Sequence, residues 1–382
     1  MRSYLAENRE AKSKVLLRFN LRLIALFFLI PFCGYYITKL PVSPIYFTYA
    51  LVLILFILLL AMNNIRFKMF DSYVLFCIVS LGGIQLLFTD YNESTLVNLL
   101  MSLSFLYVCM QLLRNVRVEY VIFLSKLMVV VSLPLLIFEA VYRFLNPINQ
   151  ERYIDAGRED IMFYIYKFNS VMYIDSNFVA LYILSLLFFS FYINRYAPRT
   201  VSFFYVCILV FLLFSSISRA AIFSFLIFLF MLPFSSLIYK WRYYVMLFLP
   251  ALLLFLFQIV FESSGFDDSL RSKFMILSLT VEYIKDIDPM TLLLGVGVGK
   301  AADVLGIGSH NIITTYLVEL GLVGTSMISA LWILIMIKSR YKAGIIMFPF
   351  LVCGLSLTTF AIPYLYAMFG IVYHIERDRL YE

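Results

Sequence analysis

Apolar stretches long enough to span a membrane recur along the whole chain, with short polar connections between them. A transmembrane helix needs about 20 mainly apolar residues, and the windows that meet this requirement predict about twelve helices. They cover residues 21–38, 45–62, 71–89, 96–113, 120–142, 172–193, 200–217, 220–239, 243–261, 310–337, 343–358 and 360–374. Pro349 and Pro363 leave open whether 343–374 forms one kinked span or two. The pattern predicts an all-α polytopic membrane protein with residues 1–382 as a single transmembrane domain.

The composition agrees with this pattern and excludes several classes of protein. Of the 382 residues, 63% are hydrophobic and 14% are charged, and the mean hydropathy is +0.94. Soluble domains are roughly 45–50% apolar and about 25% charged, so a soluble enzyme, a secreted domain and a disordered protein are excluded. The net charge of +7 is attributed to basic cytoplasmic loops rather than to nucleic-acid binding. The five cysteines lie in apolar runs without CxxC spacing, so neither a disulfide nor a zinc site is expected.

Lysine and arginine in the short connections set the predicted orientation. With the N-terminus inside, every inner connection is basic, whereas the short outer connections contain only Lys39 and Arg219. This distribution predicts an even number of spans with both termini in the cytoplasm. No cleavage site follows the first apolar run, which is therefore expected to remain as an uncleaved span.

Two outer connections are long, at residues 143–171 and 262–309. Loops of this length without low complexity are usually functional. Each contains a segment that mixes apolar and charged residues, at 163–168 and 273–287, and is expected to form a short amphipathic helix at the membrane surface. No internal repeat is visible, which argues against an inverted-repeat transporter.

Arg219 is the clearest exception to the distribution of positive charge. It follows Ser218, which is expected to cap a helix and to leave Arg219 in the first turn. A cation opposes the helix dipole at this end. An anion bound there would remove the conflict, because backbone N–H groups and the guanidinium would both face it. The alternative is an arginine that snorkels to the membrane interface.

His310 is the only histidine expected on the outer side, because His374 lies at the cytoplasmic end. Ser309 is expected to cap a helix that begins with His310 and Asn311. A helix N-terminus keeps an imidazole neutral and able to accept a proton. A capping or interfacial histidine is the alternative. Glu319 is expected on the opposite face of this helix, buried and paired elsewhere in the bundle.

A glycine-rich segment precedes this histidine. Residues 295–299 read GVGVG, and Gly306 and Gly308 follow. Glycines permit tight turns and a close approach of the backbone to a ligand. The spacing matches neither a P-loop nor a dinucleotide fingerprint, and a glycine-rich turn without a ligand is the alternative.

Other polar residues on the outer side are weaker candidates, for which a solvated or headgroup contact is the alternative. They are Arg143, Arg152, Arg158, Lys167, Asp175, Asn177, Arg271 and Lys273. Lys126 and Glu139 fall within the fifth predicted span, where charges are costly and indicate internal pairing.

Taken together, these motifs resemble the O-antigen polymerase and ligase superfamily of bacterial inner-membrane glycosyltransferases. The resemblance rests on DSN at 175–177, SRA at 218–220, GVGVG at 295–299, SHN at 309–311 and LVELGLVG at 317–324. The family's second arginine is similar to Arg271. Phe274 lies nearby, where ligase-like members often have a tryptophan, and this departure favours a polymerase over a ligase.

The resemblance implies a GT-C-like fold and a transfer without metal or cofactor at the periplasmic face of the inner membrane. The implied partners are undecaprenyl-diphosphate-linked oligosaccharides as donor and acceptor, membrane lipids and a chain-length regulator protein. A polymerase would transfer the growing glycan onto a new lipid-linked repeat unit, whereas a ligase would transfer it to lipid A–core. A flippase that transports lipid-linked oligosaccharides is the alternative from another class.

Three residues are expected to carry the chemistry. Arg219 and Arg271 would hold the donor diphosphate, because guanidinium stays charged and binds phosphate in a bidentate manner, and would offset the leaving-group charge. His310 would accept the proton of the attacking sugar hydroxyl, with inversion at the anomeric carbon. The residues expected to bind substrate are Arg143, Arg158, Lys273, Asp175, Asn177, Gly297, Gly299 and Asn311.

Overall fold

The computed structural model describes residues 19–62, 68–148, 165–173, 175–231 and 268–378. Within these ranges the chain forms helices and connecting segments without a β-strand, apart from an isolated antiparallel bridge between Ile37 and Met172. The helices are α1 (Phe19–Leu29), α2 (Pro44–Ala61), α3 (Met69–Phe88), α4 (Glu93–Leu113), α5 (Val118–Leu145), α6 (Ser176–Tyr196), α7 (Phe203–Ser215), α8 (Arg219–Met231), α9 (Asp268–Asp286), α10 (Pro289–Leu294), α11 (Ala301–Leu305), α12 (Ile312–Lys338), α13 (Gly344–Gly354) and α14 (Pro363–Asp378).

Six of the described helices, α2 to α6 and α12, are long and apolar enough to cross a membrane. Four shorter ones, α1, α7, α8 and α13, are also apolar. These helices identify a membrane-embedded, all-helical protein. The predicted window 243–261 lies outside the described residues, so the total of twelve spans stays a prediction.

Three helices that run in the same direction form the centre of the bundle. The apolar windows of α4 and α6 are 83% and 89% buried, and α14 is buried along almost its whole length. At one end Ser102 Oγ of α4 donates to the carbonyl of Phe360, just before α14, at 2.7 Å. At the other end His374 Nε2 of α14 lies 3.1 Å from the carbonyl oxygen just after α4, that of Val116. Peripheral helices such as α2, whose window is only 22% buried, cover this centre and turn an apolar face outward.

Polar residues cap several helices, because the N–H groups of the first turn have no hydrogen-bond acceptor within the helix. The side chain of Asn92 accepts from Thr95 N at 3.1 Å, and that of Asp175 accepts from Asn177 N at 2.7 Å. Asp288 caps α10, and hydrogen bonds from the hydroxyl and amide of Thr291 lower the pKa of its carboxyl.

Some predicted boundaries differ from the structure. The prediction of one helix over 21–38 is wrong, because α1 ends at Leu29 and the chain turns through 30–34 around Pro31. The stretch 343–374 forms two helices, with Pro349 inside α13 and Pro363 opening α14, where its missing N–H is tolerated.

The two long connections also differ from their predicted extents. The first starts later than residue 143, because α5 continues to Leu145, and residues 149–164 lie outside the described part of the chain. In the second, α9 confirms that a helix covers most of 273–287. Ile276 and Thr280, one turn apart, form its buried side. Its position at the membrane surface stays a prediction.

Candidate functional site

The helices α4, α6, α8 and α12 all begin at the same end of the bundle, which is termed the cap end. Three contacts join residues at this end, which also contains the segment before α14 and the glycine-rich segment before α11. Asn92 N donates to the Val298 carbonyl at 2.8 Å, and Ser176 Oγ donates to the Ser216 carbonyl at 2.8 Å. Near the start of α12, the ring of Tyr316 stacks on that of Phe360 with centroids 5.4 Å apart. The motif residues, which are far apart in sequence, therefore lie at one end of the molecule.

The turn that leads to Arg219 is held by side chains from two other helices. Arg143 Nη2 of α5 donates to the Ser215 carbonyl at 2.8 Å, and Ser176 Oγ of α6 holds the next carbonyl. The turn itself contains Ile217 at a positive φ of 57°. Helix α8 begins at Arg219 as predicted, and Arg219 is exposed.

The predicted side-chain cap on α8 is wrong. The Ser218 carbonyl accepts from Ile222 N at 3.0 Å, which starts the helix. The Ser218 hydroxyl is buried and forms no hydrogen bond with the described part of the chain. The backbone turns here through the positive φ at Ile217 and the bond from Ser218 N to Ser216 Oγ, at 3.2 Å. The Ser218 hydroxyl takes no part in this turn.

Arg143, predicted to bind substrate, lies in a buried network. Its side chain pairs with Glu139, four residues earlier on α5, at 3.1 Å. Its Nη1 donates to the Tyr166 carbonyl at 2.7 Å. The Glu139 carboxylate also accepts from Ser170 Oγ at 2.9 Å. The indicated internal pairing of Glu139 is confirmed.

Asp175 and Asn177, also predicted to bind substrate, are linked to each other and to Lys167. Besides its bond to Asn177 N, the Asp175 carboxylate accepts from Asn177 Nδ2 at 3.3 Å. Lys167 Nζ donates to Asn177 Oδ1 at 3.3 Å from a largely buried position. The start of α6 is thus a connected polar group beside the turn before Arg219.

The glycine-rich segment is packed between α12 and the α3–α4 turn. Val296 N donates to the Val318 carbonyl at 2.9 Å, and Gly297 N to the Glu319 carbonyl at 3.1 Å. A Cβ at Gly297 would overlap the carbonyl oxygen of Asp90, and φ at Gly297 is +110°. These packing contacts explain why residue 297 is a glycine. That Gly297 binds substrate stays a prediction.

Helix α12 is interrupted where this segment crosses it, so the prediction of one continuous helix over 310–337 is wrong. Gly321 has φ 65° and ψ −172°, which is not helical. A Cβ at Gly295 would lie 2.6 Å from Gly321 N, so the two backbones touch at these glycines. A Cβ at Gly299 would lie 2.7 Å from Asn92 Cβ, on the other side of the segment.

Glu319 is buried, as predicted, and its carboxylate accepts from backbone amides. Oε2 accepts from Gly299 N at 2.7 Å, and Oε1 accepts from Ala301 N at 3.2 Å. Its main-chain carbonyl receives the bond from Gly297. Through these bonds Glu319 fixes the end of the glycine-rich segment and the start of α11.

His310 lies before α12 rather than in its first turn. The predicted cap by Ser309 is wrong, because Asn311 Oδ1 accepts from Ile313 N at 2.8 Å and Ser309 Oγ instead lies 2.6 Å from Thr315 Oγ1. His310 is exposed and has a positive φ of 24°, which is uncommon for a residue other than glycine.

Helix α13 separates the helices that begin beside Arg219 and His310. Ser224 Oγ of α8 donates to the Pro349 carbonyl of α13 at 2.7 Å. A Cβ at Gly354 would lie 3.4 Å from Ile312 Cγ2 of α12. At 1.5 Å per residue, Arg219 and Gly354 each lie about 7.5 Å further toward the cap end than the Ser224–Pro349 contact. Arg219 and the start of α12 are therefore at a similar height on either side of the α13 terminus.

The remaining predicted site residues fall outside what is described. Arg158 precedes the described segment 165–173, and Arg271 and Lys273 belong to α9, of which the side chains are described from residue 275 onward. Thr280 Oγ1 of α9 lies 3.4 Å from Thr314 Oγ1, so α9 passes the first turn of α12. Among the described residues, no group of three or more His, Cys, Asp or Glu could hold a metal ion.

Sequence reasoning missed the structural role of Arg143 and the capping role of Asn311. The four-residue spacing of Glu139 and Arg143 is a visible signal of an ion pair within one helix.

The described residues define a helical membrane-embedded protein with a polar group of helix starts at one end. No family model matches the chain, and no curated protein matches it.

Proposed function

We propose that the protein is an O-antigen polymerase of the bacterial inner membrane. In this proposal it transfers a growing glycan from undecaprenyl diphosphate onto a new lipid-linked repeat unit at the periplasmic face. The observation that carries the proposal is the bond from Ser176 Oγ to the Ser216 carbonyl. It joins the 175–177 segment to the turn before Arg219, and these are two motifs of the superfamily that the sequence resembles.

The chemistry at Arg219 suits an anionic leaving group. An exposed guanidinium at the first residue of a helix adds a fixed charge to the partial positive charge of the helix N-terminus. Arg271 would supply the second guanidinium. As the bond between the anomeric carbon and the phosphate oxygen breaks, the electron pair leaves with the diphosphate, and the arginines offset its charge.

His310 would serve as the general base. It would take the proton of the acceptor hydroxyl as the oxygen forms its bond to the anomeric carbon from the opposite side. Its exposure and its positive φ support this role, because strained residues concentrate at functional sites.

A polymerisation assay with purified protein and lipid-linked repeat units tests the proposal. We expect Arg219→Ala and His310→Ala each to lower the rate by about 10²–10³-fold while the protein still inserts and purifies. Arg199→Ala is the matched control, because Arg199 is an exposed arginine in the turn between α6 and α7 at the other end of the bundle. A normal glycan ladder from either site variant would contradict the assigned roles.

Two outcomes would replace the polymerase with an alternative. Movement of lipid-linked oligosaccharide across a vesicle membrane without elongation would indicate a flippase. In a deletion strain, lipopolysaccharide with a single repeat unit is expected for a polymerase. Bare core with accumulated lipid-linked polymer would indicate a ligase instead.

A further inference from the structure

Arg143 connects three separate parts of the chain at the cap end. Its Nε faces the Glu139 carboxylate at 3.1 Å, its Nη1 donates to the Tyr166 carbonyl at 2.7 Å, and its Nη2 donates to the Ser215 carbonyl at 2.8 Å. Only a guanidinium carries donors in a fixed, planar arrangement that can serve three oxygens at once. The residue is 1% exposed, so a substrate phosphate has no surface of Arg143 to contact.

The carboxylate that orients Arg143 is itself fixed. Ser170 Oγ donates to Glu139 Oε1 at 2.9 Å, and the guanidinium also lies 5.0 Å from the centroid of the Phe144 ring. A buried charged pair with further hydrogen bonds holds its geometry closely, because any displacement leaves a buried charge without its partner. Glu139 and Arg143 therefore form a rigid support on α5.

This support acts on the turn before α8. Arg143 holds the carbonyl of Ser215, and Ser176 holds the carbonyl of the next residue, Ser216. Ile217 follows with φ 57°, and Arg219 comes two residues later. With two successive peptide groups fixed from outside, the direction in which α8 starts is fixed as well.

We propose that Arg143, oriented by Glu139, is a positioning residue that fixes the turn presenting Arg219. The inference rests on the proposed function, in which Arg219 holds the donor diphosphate. It assigns Arg143 to the support of the site rather than to contact with substrate.

Amide hydrogen exchange and elongation kinetics on the full-length protein test this inference together. Arg143→Lys keeps the charge but removes the planar set of donors, and Ser176→Ala removes the neighbouring bond with a smaller disturbance. We expect exchange in residues 215–222 to accelerate about tenfold on loss of a charge-assisted bond. We also expect kcat for elongation to fall roughly 10²-fold, because a misplaced Arg219 offsets the leaving-group charge less well, and the KM for the lipid-linked donor to change less than kcat does.

Two control variants match these changes elsewhere in the bundle. Arg114 is a buried arginine at the opposite end, paired with Asp71, and Ser185 is a buried serine of α6 that bonds within its own helix. Arg114→Lys and Ser185→Ala are expected to leave both exchange in 215–222 and kcat at wild-type values.

The possible failures are distinguishable. Unchanged exchange in 215–222 in both Arg143→Lys and Ser176→Ala would overturn the positioning role. A raised KM with unchanged kcat would overturn it too, since that pattern marks a lost substrate contact. If the wild-type protein does not elongate glycans, the proposed function fails, and the exchange data still decide whether Arg143 holds the turn.

Discussion

At the scale of single residues, the carboxylate of Glu319 joins two segments that local sequence patterns treat separately. It accepts bonds from Gly299 N and Ala301 N while it is only 5% exposed. A carboxylate offers acceptors on both oxygens, whereas an amide would turn a donor toward one of these N–H groups.

Glu319→Gln is therefore expected to destabilise the protein. A hydrogen bond to a charged group contributes roughly 1.5–3 kcal/mol, and an amide NH₂ facing a buried N–H adds an unpaired donor. The measurement is the melting temperature of the purified protein in detergent. Glu282→Gln, on an exposed position of α9, is the control and should leave the melting temperature unchanged. Equal melting temperatures for both variants would refute the role of Glu319.

Sequence patterns located several of these residues but not their partners. The start of α8 at Arg219 and the burial of Glu319 are confirmed. The sequence predicts Ser309 as the cap of α12, although Asn311 is of a residue type that favours this position as well. The bond from Ile313 N to Asn311 Oδ1 and the pairing of Ser309 Oγ with Thr315 Oγ1 decide between them. Such contacts depend on backbone geometry that composition and spacing do not encode.

At the scale of elements, the glycines of 295–299 and Gly321 allow a loop to dock against a broken helix. The loop bonds to the α12 backbone at Val318 and Glu319 on one side and to the α3–α4 turn through Asn92 on the other. The apolar residues continue on both sides of Gly321, so the sequence predicts one continuous helix over 310–337. The break depends on contact with residues more than twenty positions earlier, which no local periodicity reports.

Gly297→Ala is expected to disrupt this junction. The added methyl would overlap the Asp90 carbonyl, and φ of +110° is unfavourable for alanine. Gly83→Ala is the matched control, since a Cβ there meets nothing within 4 Å and Gly83 lies within α3. Alanine stabilises a helix interior by up to about 1 kcal/mol relative to glycine.

Thermal unfolding of the two variants in detergent checks the comparison. We expect the melting temperature to fall for Gly297→Ala and to stay equal or rise for Gly83→Ala. If the melting temperature changed in the same direction in both variants, the contacts between Gly297 and the α3–α4 turn would not explain the effect of Gly297→Ala.

At the scale of the whole molecule, the direction of the central helices gives the two ends different chemistry. The helix starts of the cap end contain caps, serines and the exposed residues Arg219 and His310. The opposite end contains the basic connections 114–117, 197–202 and 339–343. Basic connections mark the cytoplasmic side of a membrane protein. This asymmetry agrees with the predicted orientation, in which the cap end would face the periplasm.

Labelling of single cysteines in intact cells tests that orientation directly. The parent carries Cys207→Ser, because Cys207 is exposed and the other four cysteines are buried. At the cap end the exposed positions Glu93 and Asp303 are replaced by cysteine, and at the opposite end the exposed positions Pro198 and Lys338. A membrane-impermeant maleimide should label only the cap-end pair in cells with a permeabilised outer membrane, and all four variants after lysis. Labelling of the opposite pair before lysis, without labelling of the cap-end pair, would place Arg219 and His310 in the cytoplasm. There they could not meet a periplasmic lipid-linked glycan, and the polymerase proposal would fail at the level of the whole fold.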